Sequence, residues 1–271
     1  MKKLISIFGA MTLTATTAVM VVSCANMGNF NEIKNALDNE ESMIILISAE
    51  DCSHCKNFKY EVNKYNNLPK GENEFETFDE MFTSITRDTY NQKINGANDV
   101  TEEEKTLTKY GEVVDKITFK EYEAETFENL FEEEWLVSLK DLIRDQLREL
   151  YKTVNEDTTD SDKKIDKKIN QNYLNEIMTG TPTFLHFRNG RFIGTSAWDF
   201  KGTSEDNGTF RDNIESYVES SMFESKNEDK LGGDGVLWGD SNLSETFFNI
   251  IENGKPTPPT EGEGENPVDP E

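Results

Sequence analysis

An apolar run, Met43-Ile44-Ile45-Leu46-Ile47, leads into Cys52-Ser53-His54-Cys55, and far along the chain Thr181-Pro182-Thr183 leads into a second run, Phe184-Leu185-His186-Phe187. Short apolar runs rich in β-branched and aromatic residues read as buried strands. The second run continues through Asn189-Gly190, a two-residue turn signal, into Phe192-Ile193, so it is one arm of a hairpin. A C-x-x-C set where a strand ends and a helix begins suits thiol–disulfide exchange. The first sulfur lies at the helix N-terminus, where unpaired N–H groups and the helix dipole stabilise a thiolate. The second lies about one turn along, within reach to close a disulfide. Alone, the pair is a moderately specific signal; with the Thr-Pro-Thr strand it becomes a strong one.

The first residues place this chemistry. Lys2 and Lys3 form a positive start, and the span from Leu4 to Val22 is apolar or Thr-rich, as an export signal requires. It ends Val21-Val22-Ser23-Cys24, which resembles the lipobox of bacterial lipoproteins. That resemblance implies cleavage before Cys24, a diacylated Cys24 as the mature N-terminus, and a lipid anchor on the extracytoplasmic face of the cell membrane. The alternative is an uncleaved anchor helix, but the span is short, diluted by Thr and ends in a small residue before Cys. Either reading leaves the rest of the chain outside the cytoplasm.

Three cysteines are present, and lipidation of Cys24 leaves Cys52 and Cys55 as the remaining thiols. An exported chain of this length with one possible disulfide is not a disulfide-stapled scaffold. So short a loop contributes little chain-entropy stabilisation, which makes reactivity the better account of the pair. The charge excludes other functions. With 28 Lys and Arg against 53 Asp and Glu, the chain carries −25. Such a surface repels a phosphate backbone and an anionic bilayer, so nucleic acid is not a partner and the lipid is needed at the membrane.

Hydrophobic residues make up only 35% of the chain, so solvated appendages are expected around a smaller core. Five of the seven prolines fall in residues 255–271 with Gly and Glu, a tail with nothing to bury. A helix is expected from Ser53 to about Asn67, ended by Pro69 and Gly71. Phe82-Thr83-Ser84-Ile85-Thr86 alternates as a strand should. Thr101-Glu102-Glu103-Glu104 and Thr118-Phe119-Lys120-Glu121 both fit a helix-starting box, in which hydroxyl and carboxylate satisfy each other's N–H groups. From the second box a helical stripe of Phe127, Leu130, Phe131, Trp135, Leu139, Leu142, Leu147 and Leu150 predicts a long amphipathic helix. The acidic runs 102–104 and 132–134 read as solvated faces.

Taken together, this pattern resembles the thioredoxin fold, an α/β class with a central mixed sheet flanked by helices. On that resemblance, residues 1–23 are the signal peptide, and 24–90 and 165–225 are the two parts of the thioredoxin-like domain. A helical insertion spans 91–164, before a cis-Pro turn, and 226–271 is an acidic, Pro/Gly-rich and partly disordered end. Phe30, Ile33 and Leu37 give a first helix, Met43–Ser48 the central strand and Phe82–Thr86 its parallel neighbour. A helix from Ile165 to Met178 leads to Pro182, the hairpin 184–188 and 191–196 follows, and Phe210–Met222 is the last helix.

The resemblance also implies roles. Cys52 is the attacking thiolate and Cys55 the resolving thiol; Pro182, in the cis form, brings Thr181 against the sulfurs. Ser53-His54 is more similar to the oxidases of the family, where a His beside the second Cys stabilises the thiolate, whereas Thr181 is similar to isomerase and reductase members. No cofactor is required; the partners are protein thiols and disulfides. Two positions depart from the pattern. Leu46 stands where many members have an acid, and Asp51 stands where they have an aromatic, placing a negative charge beside the thiol. Half of a zinc site is the competing reading of C-x-x-C, but a tetrahedral site needs four ligands and only His54 and His186 stand beside the pair. His186, mid-strand, reads as a packed residue. A second alternative is a redox-inactive scaffold that serves as a binding module.

Anchoring is directly testable. Cys24→Ala should release the protein into the soluble fraction or leave its leader attached, read by fractionation and mass spectrometry of the N-terminus. A cleaved, lipid-free Cys24→Ala protein still held at the membrane would contradict the lipid anchor.

Overall fold

The computed structural model describes residues 27–69, 75–96, 114–126, 132–155, 157–175, 178, 180–198, 200, 209–222 and 251–252. The leader, Cys24, the helix-starting box at 101–104, the stripe residues Phe127, Leu130 and Phe131, and the tail 255–271 lie outside them. The chain forms an α/β structure. Helix α1 is Gly28–Asp38, strand β1 Ser42–Ala49, helix α2 Ser53–Asn66 and helix α3 Phe78–Gly96. Strand β2 is Ile117–Ala124, α4 Glu134–Val154 and α5 Asp162–Ile169, which a π-helical turn continues over Asn170–Leu174. The hairpin is β3, Thr183–Arg188, and β4, Arg191–Ala197; α6, Phe210–Ser216, closes with a second π-helical turn, Tyr217–Ser221.

The four strands make one mixed sheet in the order β2-β1-β3-β4. β1 runs parallel to β2, with Ser42 opposite Ile117 and Ala49 opposite Ala124. It runs antiparallel to β3, with Ile47 opposite Thr183 and Met43 opposite Phe187. All eight residues of β1 are buried, which requires cover on both faces of the sheet and explains its unbroken apolar run. Helix α1 packs on α4, and α2 on α3. Between sheet and helices lies an aromatic cluster. Phe58 of α2 meets Phe78, Phe184 and Trp198 edge to face at centroid distances of 5.6, 5.5 and 4.9 Å.

Two expectations need correction. Phe82–Thr86 is not a strand: it lies inside α3. Phe78, Met81, Phe82 and Ile85 are all buried, and their spacing of three, four and seven is a helical stripe that outweighs a five-residue alternation. Thr118-Phe119-Lys120-Glu121 does not start a helix; it lies in β2. Ile, Thr, Phe and Tyr favour a pleated surface, and the open edge of β1 supplies a ladder of backbone hydrogen bonds along the whole segment, which a box of two side chains cannot match. The span 91–164 is therefore not wholly helical, since it supplies the parallel strand that had been expected at Phe82.

The amphipathic stripe is observed from Trp135 onward. Trp135, Leu139 and Leu147 are buried in α4, and Leu142 and Leu150 pack against the core. The helix begins at Glu134 rather than at Thr118. Within the acidic run 132–134, Glu133 is not simply solvated: it accepts the Glu125 N–H at 2.6 Å and the Trp135 indole N–H at 2.7 Å, tying β2 to α4.

At the hairpin turn, Asn189 and Gly190 have φ of 47° and 75°, the left-handed pair that a two-residue turn demands. The turn is clamped from three sides. Gly190 N–H donates to Glu41 O at 3.0 Å. The Gln146 side chain donates to Gly190 O at 2.9 Å and accepts the Phe192 N–H at 2.8 Å. A Cβ at Gly190 would fall 2.2 Å from Leu37 O, a backbone atom. Gly190→Ala should therefore destabilise the fold by more than about 1 kcal/mol, from the left-handed backbone and the clash together. Chemical denaturation of the two proteins checks this; an unchanged midpoint would mean that the turn does not seat against α1.

Candidate functional site

The site lies where β1 and β3 end side by side. Because Ile47 is paired with Thr183, the chain leaving β1 toward Cys52 and the chain entering β3 from Pro182 emerge at the same end of the sheet. Cys52 is the N-cap of α2, in extended backbone conformation (φ −77°, ψ 118°). Its Sγ accepts the Cys55 N–H at 3.2 Å, occupying one of the unpaired donors that open every helix. On its other side the Cys52 thiol donates to Thr181 O at 3.4 Å, and the Thr181–Pro182 peptide bond is cis. Both cysteines are thiols. Cys52 keeps 6% of its surface exposed and Cys55 only 1%, so the first sulfur is the accessible one.

The two thiols are pulled apart in acidity. Burial pushes the Cys52 thiol up, but it is outweighed by hydrogen bonds from the Cys55 thiol, the Thr181 side chain and the Cys55 and His54 backbone N–H groups, so the net shift is downward. Burial raises the Cys55 thiol to about 11, reinforced by its own hydrogen bond to Cys52 and by the Cys52 charge. Thr181 lowers both thiols, and its buried hydroxyl has no other hydrogen-bond partner. A group that ionises first at the helix end and a neighbour that keeps its proton are what a nucleophile and a resolving thiol need.

Cys52, Cys55, Thr181 and Pro182 are thus brought together. His54 is exposed, and its backbone N–H is among the donors that lower the Cys52 thiol. Asp51 is exposed. His186 is fully buried on β3, with Nδ1 3.0 Å from the Tyr90 hydroxyl and Nε2 2.7 Å from Ser196 Oγ. Burial takes it down to about 3, so it is a neutral packing residue with both nitrogens engaged. Among the described residues, no group of three His, Cys, Asp or Glu side chains is placed to hold a metal ion, and no helix is long and apolar enough to cross a membrane.

One feature beside the site escaped the sequence. Leu46 of β1 has Glu121 of β2 as its register partner. Glu121 accepts a 2.6 Å hydrogen bond from the buried Ser48 hydroxyl and pairs with Lys59 at 3.1 Å. Lys59 lies one helical turn beyond Cys55. With β2 misplaced in the sequence reading, nothing marked Glu121 as a neighbour of Leu46.

No family model matches this chain, and neither the curated proteins nor the solved structures contain a similar one.

Because the contribution of His54 is a backbone donor, two substitutions should separate. His54→Ala keeps the N–H and should leave the Cys52 titration close to that of the parent. His54→Pro deletes the donor and should raise the Cys52 pKa. Thiolate absorbance against pH for the three proteins measures this. A shift in His54→Ala as large as that in His54→Pro would return the role to the imidazole.

Proposed function

We propose that this protein is a thioredoxin-like thiol–disulfide oxidoreductase acting on protein thiols and disulfides. The observation that carries this reading is the Cys52 sulfur itself. It caps α2, accepts the Cys55 N–H and lies against the carbonyl of a cis Thr181–Pro182 bond. Further support comes from the frame around it: a strand leading into the Cys helix, a parallel neighbour, and an antiparallel closing hairpin entered through Pro182. This is the arrangement that the resemblance to the thioredoxin fold implies. The leader and Cys24 support placing the protein on the extracytoplasmic face of the membrane, held there by lipid.

The exchange has two steps. The Cys52 thiolate attacks one sulfur of a client disulfide, a mixed disulfide forms, and the client's other sulfur leaves as a thiolate. Cys55 then gives up its proton and attacks the Cys52 sulfur, closing the Cys52–Cys55 disulfide and releasing the client's second sulfur. The client gains two electrons and the protein loses them; the reverse sequence oxidises a client dithiol. Cys55, held up near 11, stays protonated during the first step and so does not compete for the client. Thr181 supplies a hydroxyl close enough to both sulfurs to lower both, and the helix N-terminus disperses the charge that passes between them. No other group is needed for electron transfer, because the sulfurs carry both electrons.

Trapping tests these roles. Cys55→Ser should accumulate a mixed disulfide at Cys52 that mass spectrometry detects and reductant releases. Cys52→Ser should abolish reduction of a disulfide substrate, a loss of at least about a hundredfold, since the buried Cys55 cannot substitute for it. If Cys52→Ser trapped the client and Cys55→Ser did not, the two roles would be exchanged. A pair that neither cycled nor trapped would favour the binding-module reading.

A further inference from the structure

Ile251 and Glu252, the last residues that the structure describes, meet three elements at once. Ile251 is fully buried in the main core. Its carbonyl accepts the Asn172 side-chain N–H at 2.8 Å, from the π-helical turn that continues α5. The Glu252 carboxylate accepts from the Tyr151 hydroxyl of α4 and, at 2.5 Å, from the Lys168 ammonium of α5.

The donors that hold Glu252 are fixed by other contacts. Lys168 is paired with Asp160 at 2.9 Å, and Asp160 with Lys164 at 2.6 Å. The Lys168 ammonium stands 5.8 Å from the centre of the Tyr151 ring, and Arg148 joins α4 to α5 through Asp166 at 2.7 Å. Donors arranged in advance bind a ligand with little ordering cost. Their effect is felt by Glu252: burial pushes its carboxyl up, but the bonds from Lys168 and Tyr151 outweigh it, so the net shift is downward. An aliphatic side chain followed by a carboxylate is therefore read three ways: by burial, by a donor to its backbone carbonyl and by a charge-assisted pair. The segment that carries this pair, 236–252, is set between stretches with little to bury. Leu231 is the one large apolar side chain of residues 224–235, and Val268 is the one of residues 255–271 besides proline. Both stretches have the composition of linkers.

We infer that α4, α5 and the π-helical turn after α5 form a docking site for an aliphatic–acidic peptide segment, and that the chain's own Ile251–Glu252 occupies it as an intramolecular latch. The occupant is the one seated there, with its carbonyl on Asn172 and its carboxylate on Lys168 and Tyr151. A segment carried on a linker stays at high local concentration, so the site is filled in cis without needing high affinity. Any other segment of the same chemistry has to outcompete it. The latch is independent of thiol exchange. Tyr151 lies beyond Gln146 along α4, and Gln146 already holds the hairpin turn at the end of the sheet away from Cys52.

The test uses the full chain, with a protease site placed between Gly232 and Gly233 and cut after folding. The C-terminal fragment should stay bound through size-exclusion chromatography. An excess of a synthetic peptide of residues 245–254, Glu-Thr-Phe-Phe-Asn-Ile-Ile-Glu-Asn-Gly, should displace it. The Glu252→Gln peptide should need at least about tenfold more, and the Ile251→Asp peptide should leave the fragment in place. With Lys168→Gln in the folded chain, the gap between the Glu252 and Glu252→Gln peptides should shrink at least about threefold, as a direct pair requires. A fragment lost on cutting alone, a fragment kept against any excess of peptide, or equal displacement by all three peptides overturns the proposal. Should the cut chain unfold, amide exchange of the uncut Ile251→Asp protein replaces it. Faster exchange confined to residues 168–174 supports the latch; equal loss of protection in β1 would make the segment part of the core and overturn it. Sedimentation covers a second copy of the chain. A dimer that the peptide dissolves would seat the segment on a neighbouring molecule and overturn the intramolecular latch.

Discussion

Everything at the site depends on β1 being paired on both edges. Pairing with β2 on one side and β3 on the other leaves no residue of this strand exposed. Its eight buried residues anchor the sheet, and its C-terminal end delivers the chain to Cys52 in a fixed direction. The antiparallel register with β3 sets Thr183 beside Ile47, so Thr181 and Pro182 arrive at the mouth of α2. A slip of one residue in that register would turn every β3 side chain to the other face and carry Thr181 away from the sulfur.

Acidity follows from this geometry more than from charged neighbours. The groups that lower Cys52 are hydrogen-bond donors: the Cys55 thiol first, then the Thr181 side chain delivered from the turn before β3, and two backbone N–H groups at the start of α2. Burial opposes them at Cys52 and prevails at Cys55. Two sulfurs three residues apart thus acquire opposite shifts, because one caps the helix from outside and the other lies inside its first turn. The pair forms a small buried cluster of its own with Ala49, while Phe58 holds α2 against Phe78, Phe184 and Trp198.

The elements read most directly from the sequence were those whose pattern is local. β1, α2, the hairpin and the Asn189-Gly190 turn each have a contiguous signal, and the left-handed Gly190 beside Leu37 O is the kind of position that only glycine fills. Reading failed where two local signals competed. Phe82–Thr86 alternates over five residues but belongs to a longer helical stripe starting at Phe78. Thr118–Glu121 has the residues of a helix start but lies along an edge of β1 that only the assembled sheet offers.

By itself the sequence determined an α/β chain with a cysteine pair at a strand-to-helix junction, a second strand entered through Thr-Pro-Thr, and a strongly acidic surface. Residue type, spacing and charge are sufficient for these, because each rests on neighbours within a few positions. Only the tertiary structure decided that β2 comes from residues 117–124, that Glu121 stands beside Leu46, and that Thr181 meets Cys52. Those contacts join residues far apart in the chain, and what selects them is the burial of both faces and both edges of β1, a condition no local window contains.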